Sequence, residues 1–332
     1  GGPMNGKIAV IGSGSWGTTL AILEAQAGRE VWLWTRSAEE AETLSARREN
    51  ARFLPGVRLP ERLHISADAE EVLGGAEVAL LVAPSQRMRD NVRALRDAFP
   101  NDAILLSCAK GLELGTLKRM TTVITEELPE HMAEQVGALS GPNIAREIVS
   151  GLPASTVVAM ADTDKARRAQ RLLNTPNFRV YTQHDLLGVE LCGALKNITA
   201  IGAGVADQLA VGENAKATYL TRGLVEIARL GTAAGANPLT FAGLAGLGDL
   251  LCTCNSVHSR NHYVGVELAK GRSLDEIRDS MTQIAEGVYT VQAARQLAAQ
   301  YEVEMPIADL LYDVLYEGRP AQGLVQDLMT RD

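Results

Sequence analysis

A chain of 332 residues with 46% hydrophobic and 22% charged residues has a globular composition and the length of two domains, taking roughly 100 to 200 residues for each. Its formal net charge of −8 argues against nucleic acid or an anionic membrane as partner, because such binding draws on clustered Lys and Arg. A small anion remains possible, held by a few local cations and helix ends. Four cysteines, Cys108, Cys192, Cys252 and Cys254, are too few for a disulfide scaffold and lack zinc-site spacing, so no metal is expected and the Cys252-Thr-Cys254 pair reads as buried thiol packing. The opening Gly1-Gly2-Pro3 before Met4 reads as the remnant of a cleaved tag, without the basic and apolar regions of a signal peptide. No uninterrupted apolar run reaches the roughly 18 residues of a membrane helix, and the expectation is a cytoplasmic protein without membrane insertion.

Lys7-Ile-Ala-Val-Ile-Gly12 is short, β-branched and apolar on both faces, as a central parallel strand is. Thr18 to Ala27 reads as a helix, with Gly28 where a left-handed C-terminal stop belongs. A second strand follows at Val31–Trp34. Further apolar runs at 78–82, 104–107, 136–139 and 156–159 alternate with helix-like stretches at 87–99 and 117–128. Near His184 the strand-like runs stop. Helical periodicity then covers 186–205, 215–234, 260–270, 287–301 and 307–316. The predicted architecture is α/β: an N-terminal doubly wound, Rossmann-type sheet over 4–183, binding a dinucleotide, and an all-α domain over 184–332 that binds substrate.

Between the first strand and the first helix stands Gly12-Ser13-Gly14-Ser15-Trp16-Gly17, the G-x-G-x-x-G arrangement. Gly12 permits the tight turn, Gly14 the approach of a pyrophosphate, and Gly17 the packing of helix on strand, while the helix start offers free N–H groups. A plain glycine turn is the alternative. Beyond the second strand, where an acid would bind a ribose hydroxyl, the chain reads Thr35-Arg36-Ser37. Arg36 suits a 2′-phosphate and favours NADPH over NADH; as a solvated surface cation it would carry no such meaning.

In doubly wound sheets ligands sit outside the carboxyl ends of the strands. Three ends are marked: Ala83-Pro-Ser85, Cys108-Ala-Lys-Gly111 and Ser140-Gly-Pro-Asn143. Lys110 is placed to donate to a substrate oxygen, and Gly141 and Asn143 can offer backbone and amide N–H groups. In the second half, Lys196 lies within Leu191–Ile201, a helix apolar nearly all round, with the small neighbours Cys192, Gly193, Thr199 and Ala200 one turn away. An apolar setting lowers a lysine's pKa toward the range useful for proton transfer; the bland reading is a lysine snorkelling from a buried helix. Asp249, in Gly246-Leu-Gly-Asp249, either orients Lys196, binds a substrate hydroxyl, or is a turn aspartate. Ser259 reads as the N-cap of a helix ending near Lys270, with Gly271 as its stop. With Arg260 and Asn261 that helix start has the makings of a phosphate cradle.

Taken in order, these motifs, with Leu195-Lys-Asn197 and Ala285-Glu-Gly-Val288, closely resemble those of the bacterial NAD(P)-dependent glycerol-3-phosphate dehydrogenases, from Lys7 to about Leu328. The resemblance implies a 6-phosphogluconate dehydrogenase-like fold. It further implies reversible reduction of dihydroxyacetone phosphate to sn-glycerol 3-phosphate for phospholipid synthesis, with NADPH or NADH, in a homodimer. It makes Lys196 the catalytic proton donor and acceptor. Lys110, Gly141, Asn143, Asp249, Ser259, Arg260 and Asn261 become substrate contacts, while Ser15, Trp16, Arg36, Ala145, Ile284 and Glu286 line the cofactor, with Lys110 and Arg260 beside it. Position 143 is often Ser or Thr in the family. Two other readings stand beside this one: a related β-hydroxyacid or 6-phosphogluconate-type dehydrogenase, and a non-enzymatic dinucleotide sensor. The Ser259-Arg-Asn261 helix start disfavours an unphosphorylated hydroxyacid, and a sensor needs no proton donor.

Overall fold

The structure, a computed structural model, describes residues 6–283 and 285–330. Eight strands form one sheet: β1 (Lys7–Ile11), β2 (Glu30–Trp34), β3 (Leu63–Ser66), β4 (Ala76–Leu81), β5 (Ile104–Ser107), β6 (Val136–Ser140), β7 (Ala154–Ala159) and β8 (Phe178–Gln183). Their order is β3-β2-β1-β4-β5-β6-β7-β8. All neighbours are parallel except β6 and β7, which run antiparallel. The chain switches direction along the sheet between β1 and β4, the point where a doubly wound sheet opens a crevice at its strand ends.

Parallel strands covered on both faces must be apolar on both. Here Ile8 and Val10 join Leu20, Ile22 and Leu172 in one core, while Ala9 and Ile11 join Val72, Val92 and Val123 in the other. The first core is closed by α1 (Ser15–Gln26), α2 (Ala38–Arg47), α6 (Ala145–Val149) and α7 (Thr163–Leu173), the second by α3 (Ala69–Leu73), α4 (Met88–Leu95) and α5 (Met120–Glu127). Gly28, at φ +87°, follows the last turn of α1 as a left-handed stop. Sequence patterning missed β3 and β8. Both are edge strands, where half-exposed, partly polar sequences such as Leu63-His-Ile-Ser66 replace the apolar runs of the centre.

The chain divides into two compact units: the first runs through Ala109 and resumes over Met120–Leu186, and the second takes Lys110–Arg119 and everything from Leu187 onward. The ten-residue segment after Ala109, which a contiguous reading leaves with the sheet, therefore packs with the helices. Among the described residues the second unit contains no named strand. Its helices are α8 (Leu186–Gln208), α9 (Glu213–Ala233), α10 (Asp249–Asn255), α11 (Arg260–Ala269), α12 (Leu274–Asp279), α13 (Glu286–Gln300), α14 (Pro306–Tyr316) and α15 (Leu324–Thr330).

The second core gathers Leu195, Ile198 and Ile201 of α8 with Ile227, Val264, Val291 and Leu311. By length and composition α8 could cross a membrane, although Lys196, Asn197 and Thr199 interrupt its apolar run. However, 83% of its most apolar window is buried inside the protein, as in the central helix of a helical core. Glycines let its neighbours approach: a Cβ on Gly204 would lie 2.0 Å from the carbonyl oxygen of His262, and one on Gly265 1.8 Å from that of Ile201. Either substitution would drive the two backbones apart.

Candidate functional site

In the first unit the chemistry-bearing feature is the turn between β1 and α1. Gly12 has φ +126°, and a Cβ there would stand 2.4 Å from the carbonyl oxygen of Val82; one on Gly17 would stand 1.9 Å from the carbonyl oxygen of Gly12. Both positions therefore exclude any side chain. Gly14 is the N-cap of the 12-residue α1 and supplies no side-chain cap, so the first N–H groups of the helix are left for another acceptor, with the helix dipole behind them. The turn is braced from beneath. Asn50 donates to the Ser13 carbonyl (2.7 Å) and to Thr18 Oγ1 (2.9 Å), and the Ser13 hydroxyl donates to Glu40. Ser15 opens α1, and Trp16 packs edge-on against Phe178.

β2 ends beside this turn, where the Gly12 amide donates to the Trp34 carbonyl. Arg36 follows, exposed, just before Ser37 caps α2. Further along the sheet, four buried side-chain oxygens have no hydrogen-bond partner: Ser107 and Ser140 Oγ, Asn143 Oδ1 and Thr156 Oγ1. Buried polar atoms are normally satisfied, so these strand-end groups suit a polar ligand or water. Asn143, expected to donate, already spends one amide N–H on the Ser155 carbonyl (2.8 Å). The close approach of β7 explains Gly141 without a ligand, since a Cβ there would lie 2.9 Å from Thr156 Cα. An uncapped helix start, a turn that excludes side chains and unpaired oxygens fit a dinucleotide. Ala145 begins the short α6.

In the second unit two sequence-predicted residues, Lys110 and Lys196, converge on Asp249. This carboxylate, 1% exposed, opens α10 directly after a single π-helical turn over Leu244–Gly248. Its Oδ2 accepts from Lys110 Nζ at 2.7 Å, and its Oδ1 lies 3.1 Å from Lys196 Nζ. Lys196, 6% exposed near the middle of α8, also donates to Thr253 Oγ1 at 2.7 Å, and that hydroxyl in turn donates to Asp249 Oδ1 at 3.0 Å. Asp249 is thus in contact with both ammonium groups and with the Thr253 hydroxyl.

Burial pushes the Lys196 amine below the ordinary lysine value; Asp249 opposes the shift and the Lys110 charge reinforces it. Burial alone would raise the Asp249 carboxyl, but the two ammonium groups hold it below the usual carboxylate range. The result is a desolvated ammonium whose proton is held less tightly than an ordinary lysine's, beside a carboxylate held below the usual range.

A second polar chain holds the surroundings. Asn197 donates to the Lys110 carbonyl (3.0 Å), Asn261 donates to Asn197 Oδ1 (3.1 Å), and the Gly287 amide donates to Asn261 Oδ1 (2.9 Å). Asn261, predicted as a substrate contact, is thus largely committed to structure. Ser259 caps α11 by accepting from the His262 amide, and Arg260 donates to Gln283. Gly271, at φ +89°, stops that helix after Lys270, as the sequence predicts. Glu286 opens α13, while the predicted cofactor residue Ile284 lies outside the described residues. Sequence reasoning assigned no role to Thr253 or Asn197. The signal for Thr253 was its spacing four residues after Asp249, readable only once α10 is known to be a helix.

Among the described residues no cluster could hold a metal ion, and none of the four cysteines forms a disulfide, with Cys252 half-buried and the rest buried. Burial lifts the Cys254 thiol to about 12, which makes it unreactive as a nucleophile.

Comparison with known proteins identifies the family. The profile described as "NAD-dependent glycerol-3-phosphate dehydrogenase N-terminus" matches residues 7–166, and that of the corresponding C-terminus matches residues 185–326. Similar proteins include the glycerol-3-phosphate dehydrogenase [NAD(P)+] of Dehalococcoides mccartyi, 50% identical over 97% of this chain and 90% of that one. That of Chlorobium limicola is 45% identical over 98% of both. The crystal structure of glycerol-3-phosphate dehydrogenase from Coxiella burnetii superposes with a TM-score of 0.92 at 34% identity, covering 99% of this chain and 100% of that one. With both halves matched and such identity over nearly its whole length, the chain belongs to the NAD-dependent glycerol-3-phosphate dehydrogenase family.

Proposed function

We propose that this oxidoreductase interconverts dihydroxyacetone phosphate and sn-glycerol 3-phosphate, and that the 3.1 Å pair of Lys196 and Asp249 is its proton-transfer centre. The observation that carries the reading is the pairing of two lysines on one buried carboxylate, an arrangement with little to offer structural stability but much to a developing oxyanion. When bound, a reduced nicotinamide supplies the hydride for the ketone carbon. Lys196 then delivers its proton to the alkoxide oxygen, and Lys110 offers a second positive charge to the same oxygen. Asp249 keeps both cations in place and Thr253 fixes the direction of the Lys196 amine. In reverse, neutral Lys196 takes the hydroxyl proton.

The uncapped start of α1 receives the pyrophosphate, and Arg36 favours a 2′-phosphate and hence NADPH. Ser15, Trp16, Ala145 and Glu286 complete the cofactor contacts. Ser259 and Arg260 hold the substrate phosphate at the start of α11, where Asn261 has one amide hydrogen left beyond its bond to Asn197; Gly141 and Asn143 are further substrate contacts. Residues 4–183 then serve the dinucleotide and 184–332, together with Lys110, the substrate. The product feeds phospholipid synthesis in the cytoplasm, and the working unit is a homodimer. The test is oxidation of NADPH and of NADH, followed by absorbance, with dihydroxyacetone phosphate as acceptor and ketoacids and 6-phosphogluconate as controls. Cofactor binding without turnover of dihydroxyacetone phosphate would refute the proposal.

A further inference from the structure

We propose that His262 is a positioning residue, locking the rotation of α11 so that Ser259 and Arg260 are aimed at a phosphate group. The inference rests on the reading of the α11 start as the phosphate cradle.

His262 is buried in the first turn of α11, and its imidazole Nε2 lies 2.6 Å from Asp207 Oδ2. Asp207 stands near the end of α8 and is paired from α9 by Lys216 Nζ at 2.9 Å. Burial would raise the Asp207 carboxyl, but its bonds from His262 and Lys216 hold it below the usual range, so the anchor stays ionised. The adjacent side chain, Asn261, grips the same helix at Asn197. Ten residues of helix span about 15 Å, and consecutive helical side chains point about 100° apart. Two neighbouring residues of α11 therefore seize α8 at well-separated points, one at its middle and one near its C-terminal end. Between them the His262 carbonyl rests on Gly204, where even a methyl group would not fit.

With both grips closed, α11 has one rotational setting. That setting fixes Arg260, which precedes the two gripping residues. It also fixes Ser259, whose Oγ accepts from the His262 amide at 3.2 Å and so keeps its own proton to donate. Neither Asp207 nor Lys216 belongs to the lysine pair around Asp249, so the brace acts on phosphate recognition and leaves proton transfer alone.

The experiment compares the parent enzyme with His262→Ala, His262→Arg, Asp207→Asn and Arg260→Ala, each on dihydroxyacetone phosphate and on unphosphorylated dihydroxyacetone. Misaimed contacts should raise KM for the phosphorylated substrate about tenfold in His262→Ala and Asp207→Asn, with kcat nearly constant. Turnover of dihydroxyacetone should be unchanged, and His262→Arg, a cation long enough to reach Asp207, should recover most of the loss. Asp207→Asn keeps the side-chain volume and supplies the answer should His262→Ala not fold. Equal losses on both substrates, or no rescue by Arg, would overturn the positioning role. If Arg260→Ala weakens the phosphorylated substrate while His262→Ala and Asp207→Asn do not, this inference alone falls. If Arg260→Ala has no effect, the cradle reading falls and takes the inference with it.

Discussion

The turn before α1 and the lysine pair around Asp249 are built by opposite means. The turn is made of backbone: its donors are the free N–H groups of a helix start, and its requirement is that Gly12 and Gly17 carry no side chain. The lysine centre is made of side chains drawn from three distant stretches of chain, at residues 110, 196 and 249–253, with Lys196 and Asp249 stripped of water and each group dependent on the others. A backbone site is compact in sequence and tolerates a charge only at its rim. A side-chain site is dispersed, and it is sensitive to every neighbour that sets its protonation.

Four experiments break or sharpen that contrast. Replacing Lys196 by Ala removes the proton donor and should lower kcat about a thousandfold while dinucleotide affinity, measured by fluorescence titration, stays near that of the parent. Near-normal turnover would dissolve the side-chain half of the contrast. Gly17→Ala tests the backbone half: with only 1.9 Å available to the new Cβ, helix and strand must separate. A loss of stability of about 3 kcal/mol, read by denaturant titration, should accompany weakened dinucleotide binding.

Glu226 probes how the helical unit handles a buried carboxyl that accepts hydrogen bonds from the Ile307 and Ala308 amides. Burial lifts its carboxyl from 4.5 to about 7. Its contribution to stability is therefore fully present below the ordinary glutamate value and is lost as pH rises through about 7. Relative to the parent, Glu226→Gln should gain roughly 2 kcal/mol between about pH 5 and about pH 8. A constant difference across that range would remove the assigned ionisation. The smallest effect is expected from Arg36→Ala at the exposed rim of the backbone site: about tenfold weaker NADPH binding with NADH little changed. Equal losses for both cofactors would reject a 2′-phosphate contact.

How much of this was legible in the sequence follows from the same contrast. The glycine turn could be read directly because its requirements fall within six consecutive residues flanked by a strand and a helix. Lys196 stood out as a charge in an otherwise apolar helix. What joins it to Asp249 and Thr253 depends on α10, whose seven residues follow a π-helical turn and carry no helical signal of their own length. The edge strands β3 and β8 escaped because half-exposed strands lack the continuous apolar run that marks the centre of the sheet. The grip of Asn261 and His262 on α8 was unreadable, since it depends on how two helices cross at glycines far apart in the chain.

The excursion of Lys110–Arg119 into the helical unit bears on any attempt to dissect or recombine the protein. A fragment beginning at Leu187 would inherit Asp249 and Lys196 but not the second ammonium, and the amide of Asn197 would lose the carbonyl it holds at Lys110. Exchange of the helical half between relatives therefore transplants the lysine centre only if the ten-residue excursion travels with it, so that two separate segments are inherited as a pair.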